Sequence, residues 1–370
     1  MPRNRTITQC QAIYTGPSPS TGNHWSTGNY GLQYQQLASV NQVAQLHRIQ
    51  SANYNFSIAR QPVNQFGNLA AIDRVILEQP TVNLDLSYIL ANFYNERKLG
   101  FVISSGGVTS AISGMLDKTN DERNFFIKTV AQGNDAVGMA AGTGFVIGIG
   151  NGFVTSYSSE GSVGNFPMVS VSIEGLNMKI DKEPTGQQLP AIFPANGNAV
   201  TGHFYTLPLT TGSPSGGDLA TSALRPGDIS LTIGYDEGGA KISDAKIQSY
   251  SISLDLSREA LQQLGSKYAF AREVNFPVNA SLSITAEVGD LTTGNLTEII
   301  NNNVDYDVQV NINKPGTSVT MCNYLLKGVN LDSQDFSSSV GDAQSVTMTF
   351  SCPIGGPQES GIGIYLSGSN

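Results

Sequence analysis

Side chains that could catalyse a reaction are few in this sequence and lie far apart. The three histidines are His24, His47 and His203, and none belongs to an HExxH zinc motif or stands beside a cysteine. The glycine-rich stretch 142–150 lacks GxGxxG spacing, because Ile147 occupies the place of the third glycine, and no GK[ST] follows it. No GxSxG nucleophile motif is present. We therefore expect neither an enzyme nor a cofactor site.

The cysteines and the acidic clusters predict no metal site. Cysteines are odd in number, far apart in the chain and form no CxxC pair, so neither a zinc site nor a disulfide framework is indicated. The acidic clusters lack the spacing of an EF-hand loop, and we interpret them as loop caps and surface charge. These residues are Cys10, Cys322 and Cys352, and Asp117, Asp121, Glu122, Asp332 and Asp335.

Arginines spaced evenly around a glycine are the pattern that stands out, and it occurs twice, 198 residues apart. Each copy reads Arg-x6-Gly-x6-Arg. A glycine at a fixed place in a loop is typical of a turn with positive φ. The arginines are either solvated surface residues, or they reach a neighbouring subunit and pair with its carboxylates. Because both are duplicated, we predict inter-subunit contacts through Arg60, Gly67, Arg74, Arg258, Gly265 and Arg272.

The same shift of 198 residues aligns the segments that must position these motifs. Over the 43 positions from Arg48 to Leu90, nine residues are identical without a gap. Apolar residues alternate with polar ones in the same register in both halves, which predicts strands with one buried and one polar face. The alternating apolar sets are Tyr54, Phe56 and Ile58 with Ile252, Leu254 and Leu256, and Val82, Leu84 and Leu86 with Ala280, Leu282 and Ile284. The sequence therefore predicts two copies of one fold.

A later match needs a shift of 177 residues. Ser162-Val163-Gly164 falls on residues 339–341, and both segments lead into a last alternating strand. The first copy thus holds about 21 more residues, which we place in a loop insertion within 91–150. A short helix is expected near 111–116 in the first copy and at 296–300 in the second, where Asn295 is a plausible N-cap.

Composition and charge set the domain boundaries. Only 13% of the 370 residues are charged and 40 are glycine, against about 25% charged in typical domains, which favours β-sheet over helical bundles. We predict an N-terminal arm (1–30), a first domain (31–180), a Pro/Gly-rich linker (181–227), a second domain (228–356) and a C-terminal tail (357–370).

The charge is unevenly distributed along the chain. Four arginines precede the first acidic residue, Asp73, whereas the whole chain carries a net charge of −9. The arm is therefore either one that lies on another copy or an uneven tail without a role. No apolar run reaches the ~18–20 residues of a membrane span, and the N-terminus lacks the apolar core of a signal peptide, so we expect no membrane partner.

Residues 247–284 resemble the tail-tube proteins of tailed bacteriophages and the related tubes of contractile injection machines. The resemblance lies in the alternating strand 249–257, in REALQQLG at 258–265, in Ala271-Arg272 and in VNFPV at 274–278. The first copy departs from the pattern with Pro62 in its loop and with Glu78 at the position of Phe276.

The resemblance implies a mainly β fold of two tandem tail-tube-like antiparallel β-barrel or sandwich domains, each with a short flanking helix. It implies a structural virion protein of the tail, assembled in the host cytoplasm. Three chains would supply six domains, giving a trimeric, pseudo-hexameric ring that stacks into a hollow conduit for DNA. The implied partners are other copies, the tape measure, the tail tip or baseplate, the terminator, the sheath of a contractile tail, and genomic DNA in transit.

Alternating polar residues could line such a conduit. The polar positions of the strand 278–287 are either a wet, acidic lumen that repels DNA phosphates or the ordinary solvent face of an antiparallel sheet. Two other functions stay open. One is a tail-completion or baseplate-hub ring of the same fold. The other is a β-sandwich binding module or adhesin, which predicts a leader peptide and exposed aromatic clusters, although Trp25 is the single tryptophan.

Overall fold

The computed structural model describes residues 10–18, 43–104, 108–116, 121–131, 134–137, 143–183, 185–193, 197–200, 204–211, 223–235, 246–269, 271–287, 305–337 and 344–368. Strands dominate these residues, and the fold is mainly β, as the sequence predicts.

The first half of the chain contributes twelve strands and two short helices. The strands are β1 (Gln11–Pro17), β2 (Ala44–Leu46), β3 (Ile49–Ser57), β4 (Arg60–Val63), β5 (Asp73–Ile76), β6 (Thr81–Ile89), β7 (Glu122–Thr129), β8 (Phe145–Ser162), β9 (Met168–Gly175), β10 (Asn177–Asp181), β11 (Thr185–Gln188) and β12 (Phe204–Thr206). The helices are α1 (Tyr94–Leu99) and α2 (Ser113–Leu116). Gly100 ends α1 at φ 108°, a left-handed conformation that glycine adopts without strain.

The second half contributes nine strands. They are β13 (Ile229–Tyr235), β14 (Lys246–Asp255), β15 (Arg258–Leu261), β16 (Ala271–Val274), β17 (Val278–Glu287), β18 (Tyr306–Asn313), β19 (Thr320–Ser337), β20 (Ser345–Ile354) and β21 (Gly363–Ser367).

Fifteen strands form one antiparallel sheet that runs through both halves. Its main path is β13-β18-β19-β20-β17-β14-β8-β7-β1-β2, and β9, β6 and β3 continue in that order from β8. β10 pairs with β8, and β21 with β19. The other strands form the two-stranded hairpins β4–β5, β11–β12 and β15–β16.

Strand pairs of the second half reproduce those of the first, residue by residue. β3 pairs with β6 starting from Ile49 and Tyr88, and β14 pairs with β17 starting from Ile247 and Ala286, a shift of 198 on both strands. A bulge follows the first pair in each case. The partnered pairs Val82–Gly175 and Ala280–Cys352 carry the shift of 198 across to a shift of 177.

The remaining pairs repeat in the same way. The long strands β8 and β19 both have 18 residues, and each has a bulge where it pairs with the next strand, at Val154/Ser156 and at Leu331/Ser333. β7–β8 matches β18–β19, β1–β7 matches β13–β18, and β10–β8 matches β21–β19. The shift falls from 198 at β6 to 183 at β7 and 177 at β8, so the extra residues of the first half lie between β6 and β8.

One hydrophobic core serves both halves. It contains the inward residues of β6 and β9 with those of β17 and β20, and it reaches α1 through Phe93 and Leu99. A smaller cluster packs Tyr14 and Phe126 against Tyr205. Alternate burial along β17 and β20 shows the expected apolar-in, polar-out pattern.

The structure corrects several expected boundaries. Residues 11–17, expected in the N-terminal arm, form β1 and pair with β7. The expected linker contains β11 and β12, and the expected C-terminal tail contains β21. The helix expected near 111–116 is found as α2, α1 was not predicted, and the helix expected at 296–300 lies outside the described residues. Phe56 and Ile58 are exposed, although their alternation predicted a buried face.

Candidate inter-subunit surface

Eight neighbouring strands present a continuous polar face. In order they are β3, β6, β9, β8, β14, β17, β20 and the second half of β19. Between the bulges their outward positions are almost entirely Ser, Thr and Asn, with acidic residues and no described Lys or Arg among them. The acidic members are Asp85, Glu160, Glu174, Asp255, Glu287 and Asp335. Hydrogen bonds such as Ser172 Oγ to Asp85 Oδ1 (2.8 Å) run across this face.

The two halves meet within this face where β14 pairs with β8. The register runs from Ser249 opposite Ser162 to Asp255 opposite Ser156. Ile252 and Leu254 of β14 are buried there, at 0% and 2% exposure. The pairing therefore removes the edge of β14 from solvent, as an edge strand requires.

The hairpin β15–β16 is docked on the first half of its own chain. The guanidinium carbon of Arg258 lies 4.7 Å from the Phe153 ring centroid, and that of Arg272 lies 5.9 Å away. Arg272 Nη1 lies 2.8 Å from Glu174 Oε1, and Arg258 Nη1 lies 3.5 Å from Asp121 Oδ2. Burial lowers the pKa of Arg258, and the pKa of Asp121 is raised, again by burial. The two arginines thus clamp one aromatic ring between two carboxylates.

The hairpin β4–β5 has the same register but no docking partner. Arg60 and Arg74 are exposed, and neither side chain has an ion-pair partner among the described residues. Gly67 and Gly265 have φ of 81° and 87°, as the loop motif predicted. The arginines of the second motif therefore contact carboxylates of the same chain, while those of the first face solvent.

Apolar side chains mark both hairpin tips and two strand edges. Phe66, Leu69 and Leu264 at the tips are fully exposed. Phe56 on β3 and Phe336 on β19 are 58% and 56% exposed. In contrast Leu254, which stands 198 residues after Phe56, is 2% exposed because β8 covers it.

A buried carboxyl near the junction of the halves was missed from the sequence. Glu96 on α1 is fully buried, and its Oε1 accepts hydrogen bonds from Tyr88 (2.9 Å) and Tyr157 (3.3 Å). Tyr157 Oη lies 2.8 Å from Tyr324 Oη of β19. Burial raises the pKa of Glu96 to about 7. A single acidic residue in a short, unpredicted helix gives no sequence signal for such a cluster.

No group of three His, Cys, Asp or Glu side chains in the described part of the chain is placed to hold a metal ion. Within the same part, no helix is long and apolar enough to cross a membrane.

Three solved chains are similar to about a third of this one. A chain from the C6-symmetric tail of an empty gene transfer agent particle matches at 16% identity, covering 35% of this chain and 92% of that one, with a TM-score of 0.26. A chain of the six-fold symmetrised anti-feeding prophage baseplate matches at 12% identity, with 38% and 92% coverage and a TM-score of 0.25. A chain of the native gene transfer agent virion matches at 17% identity, with 37% and 94% coverage and a TM-score of 0.24. No protein family model and no curated protein matches the chain.

Proposed function

We propose that this chain is a duplicated tail-tube subunit, of which three copies close into a pseudo-hexameric ring and stacked rings form a conduit for DNA. The observation that carries the proposal is the repeated strand pairing. A chain that contains two copies of one unit, already joined edge to edge through β14 and β8, has the two further edges needed to join the next chain.

Those further edges are free and match the joined ones. β3 is the counterpart of β14 by the shift of 198, and the second half of β19 is the counterpart of β8 by the shift of 177. A head-to-tail contact that repeats by rotation closes into a ring. With two units per chain, six units around an axis require three chains.

The polar face supports the role of a conduit. Hydroxyl and amide side chains with a scatter of carboxylates keep a surface wet and give DNA phosphates no cation to bind. Because the face is continuous over eight strands, a closed ring built on these edges would present it without interruption. The hairpin tips then contact other rings, which is the role that the tail-tube resemblance implies for them.

Electron microscopy of the purified protein, with native mass spectrometry of the same sample, tests the proposal. Stacked rings with three chains per layer and six-lobed end views are expected. Single rings that never stack would favour the tail-completion or baseplate-hub ring instead. A protein that stays monomeric at high concentration, even when tail tips are added, would contradict the tube and return the binding module to consideration.

A further inference from the structure

We propose that the hairpin β4–β5 and the strand β3 dock on β19 and β20 of a second copy of this chain, with Asn330 and Asp332 of that copy replacing the aromatic clamp that holds β15–β16. This inference rests on the proposed ring, and it names the residues and register of its chain-to-chain junction. The junction inside the chain supplies the geometry, because both of its sides recur elsewhere in the molecule.

The register of the junction follows from the two shifts. Ser253 of β14 lies opposite Ser158 of β8. Their counterparts are Asn55 on β3 and Asp335 on β19, as the pairings of these strands with their other neighbours establish. Asn55 of one copy therefore lies opposite Asp335 of the next, and Ser57 lies opposite Ser333.

Burial identifies these two edges as incomplete. At the junction within the chain, Leu254 and Ser159 are 2% and 0% exposed. Their counterparts, Phe56 and Phe336, are more than half exposed. Two phenylalanines on otherwise polar strand edges are a liability in water and a source of affinity when a neighbour covers them. In the proposed register they become close diagonal neighbours across the new strand pair.

The surface that would receive the hairpin differs in one informative way from its counterpart. Asn330 stands at the position of Phe153, and Ser351 at that of Glu174. The side-chain oxygen of Asn330 is buried and has no hydrogen-bond donor among the described residues. A guanidinium group from the hairpin of the next copy supplies that donor, and it suits a carbonyl oxygen as the arginines of β15–β16 suit an aromatic face.

A carboxylate is also available to that hairpin. Thr155 and Arg258 line the same shallow cavity beside Glu174. Their counterparts by the two shifts are Asp332, which is exposed, and Arg60 of the neighbouring copy. Arg60 therefore gains at Asp332 the ion pair that Arg258 makes with Asp121. The junction between chains would be more polar than the junction inside the chain, as expected of a surface that must remain soluble before assembly.

Engineered disulfides test the register. Cysteines at Asn55 and Asp335 (N55C/D335C) should cross-link neighbouring copies into covalent trimers, and the native cysteines are buried. The pair S253C/S158C is the matched control, since it has the same geometry inside one chain and should form without raising the mass. The pair N83C/D335C should not cross-link, because Asn83 lies one strand further from the edge, beyond the reach of a disulfide.

The outcomes separate this junction from the ring itself. Three-chain rings without N55C/D335C cross-links, while S253C/S158C forms, would overturn the junction and leave the proposed function standing. Failure of the wild-type chain to form rings under any condition would overturn both. Cross-linking of N83C/D335C in place of N55C/D335C would also overturn the register.

A charge exchange tests the ion pair. Arg60→Glu and Asp332→Arg should each raise the concentration needed for ring formation about tenfold, and the double variant should restore it. Both sites are exposed in the single chain, so the unfolding of the monomer should not change. Lys314→Glu, at another exposed position, should leave assembly unaltered. Equal assembly of all variants, or a double variant worse than both single ones, would contradict the pair.

Discussion

The carboxyl of Glu96 makes the stability of the chain depend on pH. Burial raises its pKa from 4.5 to about 7 in the folded protein. The folded state then binds a proton that the unfolded state has lost, so stability is present below the unfolded pKa and falls as pH rises through about 7. We expect a loss of about 2–3 kcal/mol of unfolding free energy between pH 5 and 8 from this group. Urea unfolding of the unassembled protein at both pH values measures it.

The variant Glu96→Gln isolates this contribution. Glutamine keeps the shape of the side chain and cannot ionise, so the variant should lose less stability than the wild type over the same pH range. The neighbouring groups Arg48, Tyr88, Tyr157, Tyr324 and Cys322 remain in place and serve as the common background. Parallel pH dependence of the two proteins would show that Glu96 does not titrate in this window.

At the scale of elements, the two hairpins form a matched pair in different surroundings. Arg272→Ala removes a guanidinium group that is 5% exposed and lies 2.8 Å from Glu174. We expect the monomer to lose about 1–3 kcal/mol, because Glu174 is one-third exposed and water can partly replace the lost partner. Arg74→Ala, at the equivalent exposed position, should change stability by less than about 0.5 kcal/mol. Denaturant unfolding of both variants measures the difference.

The reverse pattern is expected in assembly. Arg74 lies in the hairpin that we propose to dock on the next copy, so Arg74→Ala should weaken ring formation while leaving the monomer intact. Equal destabilisation of the monomer by both variants would mean that β4–β5 is also docked within the chain.

The sequence predicted the repeated strands well and the boundaries poorly. Alternation along β6, β9, β17 and β20 was readable because one face of each strand packs against a core. The first strand, β1, was assigned to an arm because its short apolar run carries no alternation signal, and its partner β7 lies more than a hundred residues away. The exposure of Phe56 could not be predicted, since alternation reports an apolar face without saying whether the same chain or another covers it.

The docking site of β15–β16 was also beyond the sequence. The Arg-x6-Gly-x6-Arg spacing correctly indicated a hairpin with a positive-φ glycine at its tip. Phe153, Glu174 and Asp121 come together with the arginines only when β14 pairs with β8, and no local pattern specifies that long-range pairing.

For the whole molecule, the apolar hairpin tips allow ring formation to be separated from stacking. Leu264→Asp and Phe66→Asp change side chains that are fully exposed in the single chain, so folding should be unaffected. We expect these variants to form rings and to fail to extend into tubes, because apolar tips that bury against another ring lose that gain when charged. Electron microscopy counts rings against tubes. Tubes of normal length from both variants would exclude the tips as ring-to-ring contacts.

The polar face makes the last prediction, which concerns DNA. Ser170 and Ser253 are exposed on neighbouring parts of this face, on β9 and β14. Lysines at both positions (S170K/S253K) would place six cations in every three-chain ring, and phosphates that contact them release counterions. We therefore expect assembled variant tubes to retain short DNA duplexes that wild-type tubes release, with retention lost steeply as salt is raised. Thr317→Lys with Ser318→Lys, in the loop between β18 and β19, adds the same charge away from this face. Equal retention by that control would place the DNA path elsewhere, whereas retention by S170K/S253K alone would mean that the acidic, lysine-free composition of the eight strands keeps the conduit free of bound DNA.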